Sequence, residues 1–102
     1  MKIIRCLSEK IQEELADADA YIDLATAWKE DDEEAAELFY ELSTEELGHV
    51  DKLHEQVTEE IEDYKRTEGE PPEGMKELYD WMHKKNLEEA MRIRVKQGMF
   101  KA

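Results

Sequence analysis

A carboxylate and an imidazole stand three residues apart in the segment STEELGHVDKL, residues 43–53, where an amphipathic helix would normally carry apolar side chains. Residues i and i+3 of a helix face the same way, so Glu46 and His49 can present oxygen and nitrogen atoms to one point. A third ionisable residue, Glu14, occupies a similar position in the first part of the chain. Buried carboxylates are rarely retained without a partner, and a divalent cation is such a partner. We therefore predict that Glu14, Glu46 and His49 are metal ligands.

These three residues belong to two stripes of otherwise apolar side chains at helical spacing. The first stripe consists of Ile4, Leu7, Ile11, Glu14, Ala18, Tyr21, Ala25 and Trp28. The second stripe consists of Phe39, Leu42, Glu46, His49, Leu53, Val57, Ile61 and Tyr64. Steps that alternate between three and four residues are typical of helices packed side by side. The two stripes therefore predict a pair of antiparallel helices with ionisable groups midway along their contact.

Two breaks divide the chain into helices. The acidic segment KEDDEE, residues 29–34, interrupts the apolar pattern, and Asp31 or Asp32 is suited to cap the helix that follows. The segment TEGEPPEG, residues 67–74, contains two prolines that cannot lie inside a helix. The pattern predicts helices over about 7–30, 33–66 and 75–97. We expect one all-α domain, residues 1–102, in which the first two helices form a hairpin.

The acid-x-x-His spacing alone does not identify a site, because all three histidines of the chain have an acid three residues earlier. Helical phase separates them: Asp51 and His54 are predicted on the solvent side of the second helix. His83 is predicted at the edge of the third helix's apolar stripe, with Asp80 pointing away. Only the pair in STEELGHVDKL lies on a stripe and faces another stripe carboxylate.

Two structural interpretations of the same residues compete with the metal site. Glu46 and His49 can form a buried hydrogen-bonded pair that fixes the register of the helices. Alternatively, Glu14 can turn outward with its neighbour Glu13 and be solvated. Gly48 favours the metal site modestly, since a glycine inside a helix costs about 1 kcal/mol relative to alanine and close approach of another helix would offset that cost. A glycine tolerated on the surface is the alternative.

Composition and charge limit the partners. The formal net charge of −14 argues against nucleic acid, whose phosphates would be repelled. No apolar run is long enough for a signal peptide or a membrane span. The single cysteine, Cys6, excludes a disulfide within the chain and a Cys-x-x-Cys redox motif. These features predict a cytoplasmic protein with neither nucleic-acid nor membrane partners.

Residues 13–21 (EELADADAY) and 45–54 (EELGHVDKLH) resemble helices of half-length ferritin-like di-iron carboxylate proteins, such as encapsulated ferritins and rubrerythrin-like single hairpins. Di-iron proteins of this class use a Glu on each of two helices and a Glu-x-x-His on each of the other two. Glu14 matches the first element, and Glu46 with His49 matches the second. The resemblance covers roughly residues 8–66 and supplies one half of the ligand set.

The resemblance implies that two chains meet. A homodimer, or a higher homo-oligomer, would complete a ferritin-like four-helix bundle with a di-iron centre shared between the chains. It further implies that iron is the cofactor and that Fe(II) is oxidised by dioxygen or peroxide. The protein would then be a ferroxidase-type oxidoreductase with Glu14, Glu46 and His49 as its catalytic residues. Glu14 or Glu46 would bridge the metals and His49 would bind one of them. The resemblance to encapsulated ferritins leaves open whether the chain lies inside a protein nanocompartment, since its C-terminal KQGMFKA does not strongly resemble the targeting tail of encapsulin cargo.

Two other functions fit the sequence less well. A non-catalytic helical oligomer or adaptor would use the Glu–His cluster as a structural device. A metal-dependent phosphohydrolase typically needs several Asp and His ligands in a more open site, whereas this chain has one histidine on its stripes. Metal analysis of the purified protein separates the first alternative from the iron protein.

Overall fold

The computed structural model describes residues 2–102, which form the helices α1 (Lys2–Trp28), α2 (Glu33–Glu68) and α3 (Glu73–Lys101). The prediction of an all-helical chain is confirmed, and no strand occurs among the described residues. Helix α1 packs along α2, as the hairpin prediction requires. Helix α1 begins at Lys2 rather than near residue 7, and α3 ends at Lys101 rather than near residue 97. Burial explains both extensions, since Ile4 is 1% exposed and Phe100 is 5% exposed.

The helix ends follow from local side-chain chemistry. Asp32 caps α2: its Oδ1 accepts a hydrogen bond from the backbone N–H of Ala35 at 3.0 Å. The acids of the first turn, Glu33 and Glu34, suit the positive end of the helix dipole. Helix α2 ends before Gly69, whose φ of +84° lies in the left-handed region that glycine adopts without strain. These contacts confirm the predicted acidic turn and the predicted stop.

The longest helix sets the dimensions of the molecule. At a rise of about 1.5 Å per residue, the 36 residues of α2 span roughly 54 Å. The chain measures 55 × 17 × 17 Å, so α1 and α3 lie along the length of α2. Within residues 2–102, we find no helix with an apolar stretch long enough to cross a bilayer.

Helix α3 lies against the hairpin and shares its core. All three helices contribute to one cluster of buried apolar side chains: Ile11, Leu15, Ala18, Ile22, Ala25, Ala36, Leu47, Val50, Ala90, Ile93 and Phe100. The first stripe is confirmed in part, because its Ile11, Ala18 and Ala25 are buried in this core. Leu15 and Ile22 of α1 and Leu47 of α2 are also buried although neither stripe contains them, whereas the second stripe is half-buried or exposed. One face of the hairpin therefore stays open.

Ion pairs join α3 to its neighbours. The Asp19 carboxylate accepts hydrogen bonds from Arg92 Nη2 and Lys96 Nζ, each at 2.8 Å. Lys96 Nζ also donates to Asp23 Oδ1 at 2.9 Å. Partial burial by itself would raise the pKa of Asp19, but the hydrogen bonds from Lys96 and Arg92 outweigh it and hold that pKa below its usual value. The contact between α1 and α3 thus combines apolar burial with charge pairing.

Two tryptophans and one glycine lie in open surroundings in this structure. Trp28, the last residue of the first stripe, and Trp81 are 46% and 57% exposed, and neither belongs to the core. Gly48 was interpreted as a point of close helix approach. A Cβ atom placed on Gly48 meets no atom within 4 Å, so no neighbouring helix approaches it in the described chain.

The free space around Gly48 predicts that an alanine at this position would stabilise the protein. Replacing Gly48 with alanine is expected to raise the free energy of unfolding by about 0.5–1 kcal/mol, because alanine loses less backbone entropy in a helix and its methyl group has room. Urea denaturation followed by circular dichroism measures the change. A loss of stability in Gly48→Ala would indicate that a second chain packs at this position after all.

Candidate metal centre

A buried serine sets the register of the two helices that carry the candidate ligands. The Ser43 hydroxyl donates to the backbone carbonyl of Ala18 at 2.7 Å and accepts from Gln97 Nε2 at 2.9 Å. In an antiparallel pair, moving three residues forward on α2 from Ser43 corresponds to moving about one turn back on α1 from Ala18. Glu46 and Glu14 therefore stand level with each other. Sequence reasoning missed Ser43 and Gln97, although Ser43 lies one helical turn before the buried Leu47, a spacing that could have identified its row.

The structure brings together the three residues that the sequence selected. Glu14, Glu46 and His49 each place one candidate ligand atom within 4.8 Å of the other two. His49 Nδ1 lies 3.4 Å from Glu14 Oε2 and 3.8 Å from Glu46 Oε1. In the part of the chain that is described, no other set of three or more such residues is grouped this closely. The grouping is a fact of the structure, while the role of these residues as ligands stays a prediction.

The two carboxylates are screened from solvent more than the imidazole. The side chains of Glu46 and Glu14 are 17% and 25% exposed, whereas that of His49 is 52% exposed. Glu46 Oε2 is buried and has no hydrogen-bond partner among the described residues. A buried acceptor without a partner is costly, and most such atoms in folded proteins are satisfied. This unpartnered oxygen is the observation that best fits a cation in the cluster.

The distances from His49 Nδ1 to the two carboxylates suit a common ion. Two ligand atoms bound at about 2.1 Å to one ion are at most about 4.2 Å apart, and both distances from His49 Nδ1 fall below that limit. Two carboxylates with one imidazole form a donor set that suits iron and other first-row divalent ions. Three side chains leave coordination positions open, and the exposed His49 shows that the cluster faces the uncovered side of the hairpin. The residues present therefore fit one half of a di-iron ligand set.

The surroundings of the cluster are apolar and only half covered. Leu42 and Leu53 flank it along α2 and are half-buried, as is Tyr21 on α1. Tyr21 stacks against Phe39 with ring centroids 6.4 Å apart, which agrees with a packing role for this tyrosine. The open face of the hairpin thus carries the three candidate ligands beside half-buried apolar side chains.

One prediction about the other histidines is wrong. His54 was placed on the solvent side of α2, but it is half-buried and its Nε2 lies 2.8 Å from His83 Nδ1 of α3. The error arises because α3 packs on that side of α2, which the phase of α2 alone does not indicate. Asp51 is exposed as predicted and pairs loosely with Arg94 at 3.7 Å.

No protein-family model, curated protein or solved structure matches this chain. The resemblance to half-length ferritin-like proteins therefore continues to rest on the two helical segments and their ligand pattern.

Proposed function

We propose that this chain is an iron-binding, ferritin-like protein with a di-iron site at a homodimer interface, where Fe(II) is oxidised by dioxygen or peroxide. The observation that carries the proposal is the cluster of Glu14, Glu46 and His49, in which a buried oxygen of Glu46 has no partner. A buried cation would satisfy that oxygen, and the donor set suits iron.

A second copy of the chain is needed to complete the site. One hairpin supplies two carboxylates and one imidazole, and its cluster lies on the face that α3 leaves open. A second hairpin docked on that face would add the same three ligands about a two-fold axis. The resulting two Glu and two Glu-x-x-His sets correspond to the ligand pattern of di-iron carboxylate bundles. Docking would also cover the half-buried Leu42 and Leu53.

The side chains would divide the work by their chemistry. Bound Fe(II) acts as the substrate, and two such ions together deliver the two electrons that reduce dioxygen to hydrogen peroxide, or hydrogen peroxide to water, with the uptake of two protons. The carboxylates of Glu14 and Glu46 would offset the positive charge that grows as iron is oxidised. The imidazole of His49, when neutral, would hold one ion through a ring nitrogen. The apolar surround would limit access of bulk water to the cluster.

Metal stoichiometry tests the proposal. Anaerobic titration is expected to show two Fe(II) ions per dimer, one per chain, and both ions are expected to be lost together in Glu46→Ala or His49→Ala. The matched control is Glu45→Gln, which removes an exposed carboxylate next to Glu46 and should keep the stoichiometry. Binding of one ion per chain that survives both ligand substitutions would contradict the assignment.

The same titration distinguishes the adaptor alternative. His49 and Glu14 are 3.4 Å apart, which is also compatible with a structural pair that fixes helix register. A protein that binds no Fe(II), and that unfolds more easily when either residue is replaced, would favour the structural function over iron oxidation.

A further inference from the structure

A second pair of metal-binding side chains lies between α2 and α3. His54 Nε2 and His83 Nδ1 are 2.8 Å apart, and the two rings are stacked with centroids 4.4 Å apart and planes inclined by 22°. These histidines come from different helices, 29 positions apart in the chain. Neither residue belongs to the Glu14–Glu46–His49 cluster.

The pair borders a cavity of about 200 Å³ that all three helices line, with Ser8 and Ile11 contributed by α1. Apolar and neutral polar side chains line much of this cavity, including Val57, Tyr79, Met82 and Asn86. Burial lowers the pKa of His54, and the charge of His83 lowers it further, while Asp51 and Glu55 act in the opposite direction. The His54 imidazole is therefore largely neutral at pH 7, the form in which histidine binds metals.

We propose that His54 and His83 form a bis-imidazole site for a divalent transition-metal ion of the nickel, copper and zinc class. Two nitrogens bound at about 2.0–2.1 Å to one ion, about 90° apart, are separated by roughly 2.9 Å. The observed 2.8 Å is close to that separation, so the ion would replace the proton shared by the two rings. A small outward movement of the exposed His83 would accommodate tetrahedral geometry as well.

The composition of the site favours this class of ion. Imidazole binds nickel, copper and zinc well, whereas magnesium and calcium prefer oxygen ligands. No carboxylate or thiolate among residues 2–102 stands close enough to both histidines to form a three-residue group, so water would fill the other positions. The carboxylate of Asp80 borders the same cavity and that of Asp51 an adjacent one, and their charge favours a cation.

The site would act as a clamp between two helices. Helix α2 packs less extensively on α3 than on α1, and His54 and His83 lie on the two helices that would be joined. An ion that binds only the folded arrangement stabilises that arrangement by mass action. Because the histidines face α3 rather than the open face of the hairpin, this clamp would operate whether or not the proposed iron site exists.

Nickel titration of the full chain tests the clamp. Isothermal calorimetry with Ni²⁺ is expected to show one class of binding site, occupied by one ion per chain, that depends on both histidines. The affinity of this class should fall at least about tenfold in His54→Ala and in His83→Ala, since each variant leaves a single imidazole. Excess Ni²⁺, at roughly 100 times the dissociation constant, should raise the melting temperature of the wild type by about 10–20 °C. In the His49→Ala background, which removes the imidazole of the other candidate cluster, adding His83→Ala should abolish this rise. His83 is exposed, so its replacement should leave the fold intact.

Two further variants test whether Ni²⁺ binds at other side chains instead of at His54 and His83. His49→Ala should keep the class and its thermal shift, and so should Cys6→Ser, which removes the exposed thiol. Circular dichroism without metal verifies that each variant is helical. Unchanged Ni²⁺ affinity in both His54→Ala and His83→Ala would overturn the proposal, as would loss of the class in Cys6→Ser or His49→Ala alone. Failure of Fe(II) binding at Glu46 would leave it intact.

Discussion

Fe(II) oxidation in air is expected to fall at least about 100-fold when Glu46 or His49 is replaced by alanine. In the proposed shared site, each substitution would remove a ligand from both halves, so the two ions would no longer be held together. Glu46→Ala also removes the buried oxygen that has no protein partner. Glu14→Ala should have a similar effect, because its Oε2 lies 3.4 Å from His49 Nδ1. The measurement is the initial rate of ferric absorbance after anaerobically loaded protein is mixed with oxygenated buffer.

Glu45→Gln is the matched control for this measurement. Glu45 is an exposed carboxylate adjacent to Glu46 on α2, and its loss changes the charge of the chain without touching the cluster. The rate in Glu45→Gln is expected to stay within about twofold of the wild type, since an exposed charge has little influence on a partly buried site. Equal losses of rate in Glu45→Gln and Glu46→Ala would mean that general surface charge, and not a defined site, attracts the iron.

The three residues of the cluster could be selected from the sequence because each is an ionisable residue at a position where the helical pattern calls for an apolar one. Glu14, Glu46 and His49 occupy apolar positions of two stripes, and helical phase alone indicates that they face one another. The acidic turn, the proline stop and the all-helical architecture follow from equally local features. The structure agrees with each of these and brings the three side chains together.

The position of α3 could not be derived in this way. The phase of one helix shows which face is apolar but not which of two neighbours will cover it. Helix α3 covers the row of Leu47 and Val50, guided by Gln97 at Ser43 and by Arg92 and Lys96 at Asp19. These contacts join common residue types that are far apart in the chain, and no spacing rule predicts them. For the same reason the meeting of His54 with His83 was not foreseen.

Metal binding and dimerisation are expected to be linked, and charge determines how. Without metal, a dimer through the open face would bring four carboxylates together, two from each chain, at Glu14 and Glu46. Unit charges about 4 Å apart repel by about 1 kcal/mol even in water, and by more where water is excluded. The apo dimer should therefore be weak at low salt and strengthen as salt screens the repulsion. Bound cations would remove the repulsion and stabilise the dimer by mass action.

Replacing both carboxylates with their neutral amides separates assembly from chemistry. In Glu14→Gln/Glu46→Gln the repulsion is absent, so the dissociation constant of the apo dimer at low salt should fall roughly tenfold or more, which corresponds to about 1.4 kcal/mol. The same variant should no longer oxidise Fe(II), because amides are poor substitutes for carboxylates at an iron site. A tighter dimer that has lost its activity is the combined result expected of a shared site.

A double variant at neighbouring positions controls for net charge. Glu13→Gln/Glu45→Gln removes the same number of negative charges from a chain of formal net charge −14, but at exposed positions outside the cluster. Sedimentation of the wild type and both double variants, with and without Fe(II) under anaerobic conditions or Zn²⁺ as a redox-silent substitute, measures the linkage. Equal tightening in the two double variants would assign the effect to overall charge. A wild-type chain that stays monomeric at micromolar concentration with its metals bound would contradict the shared site, since one hairpin would then hold the ions alone.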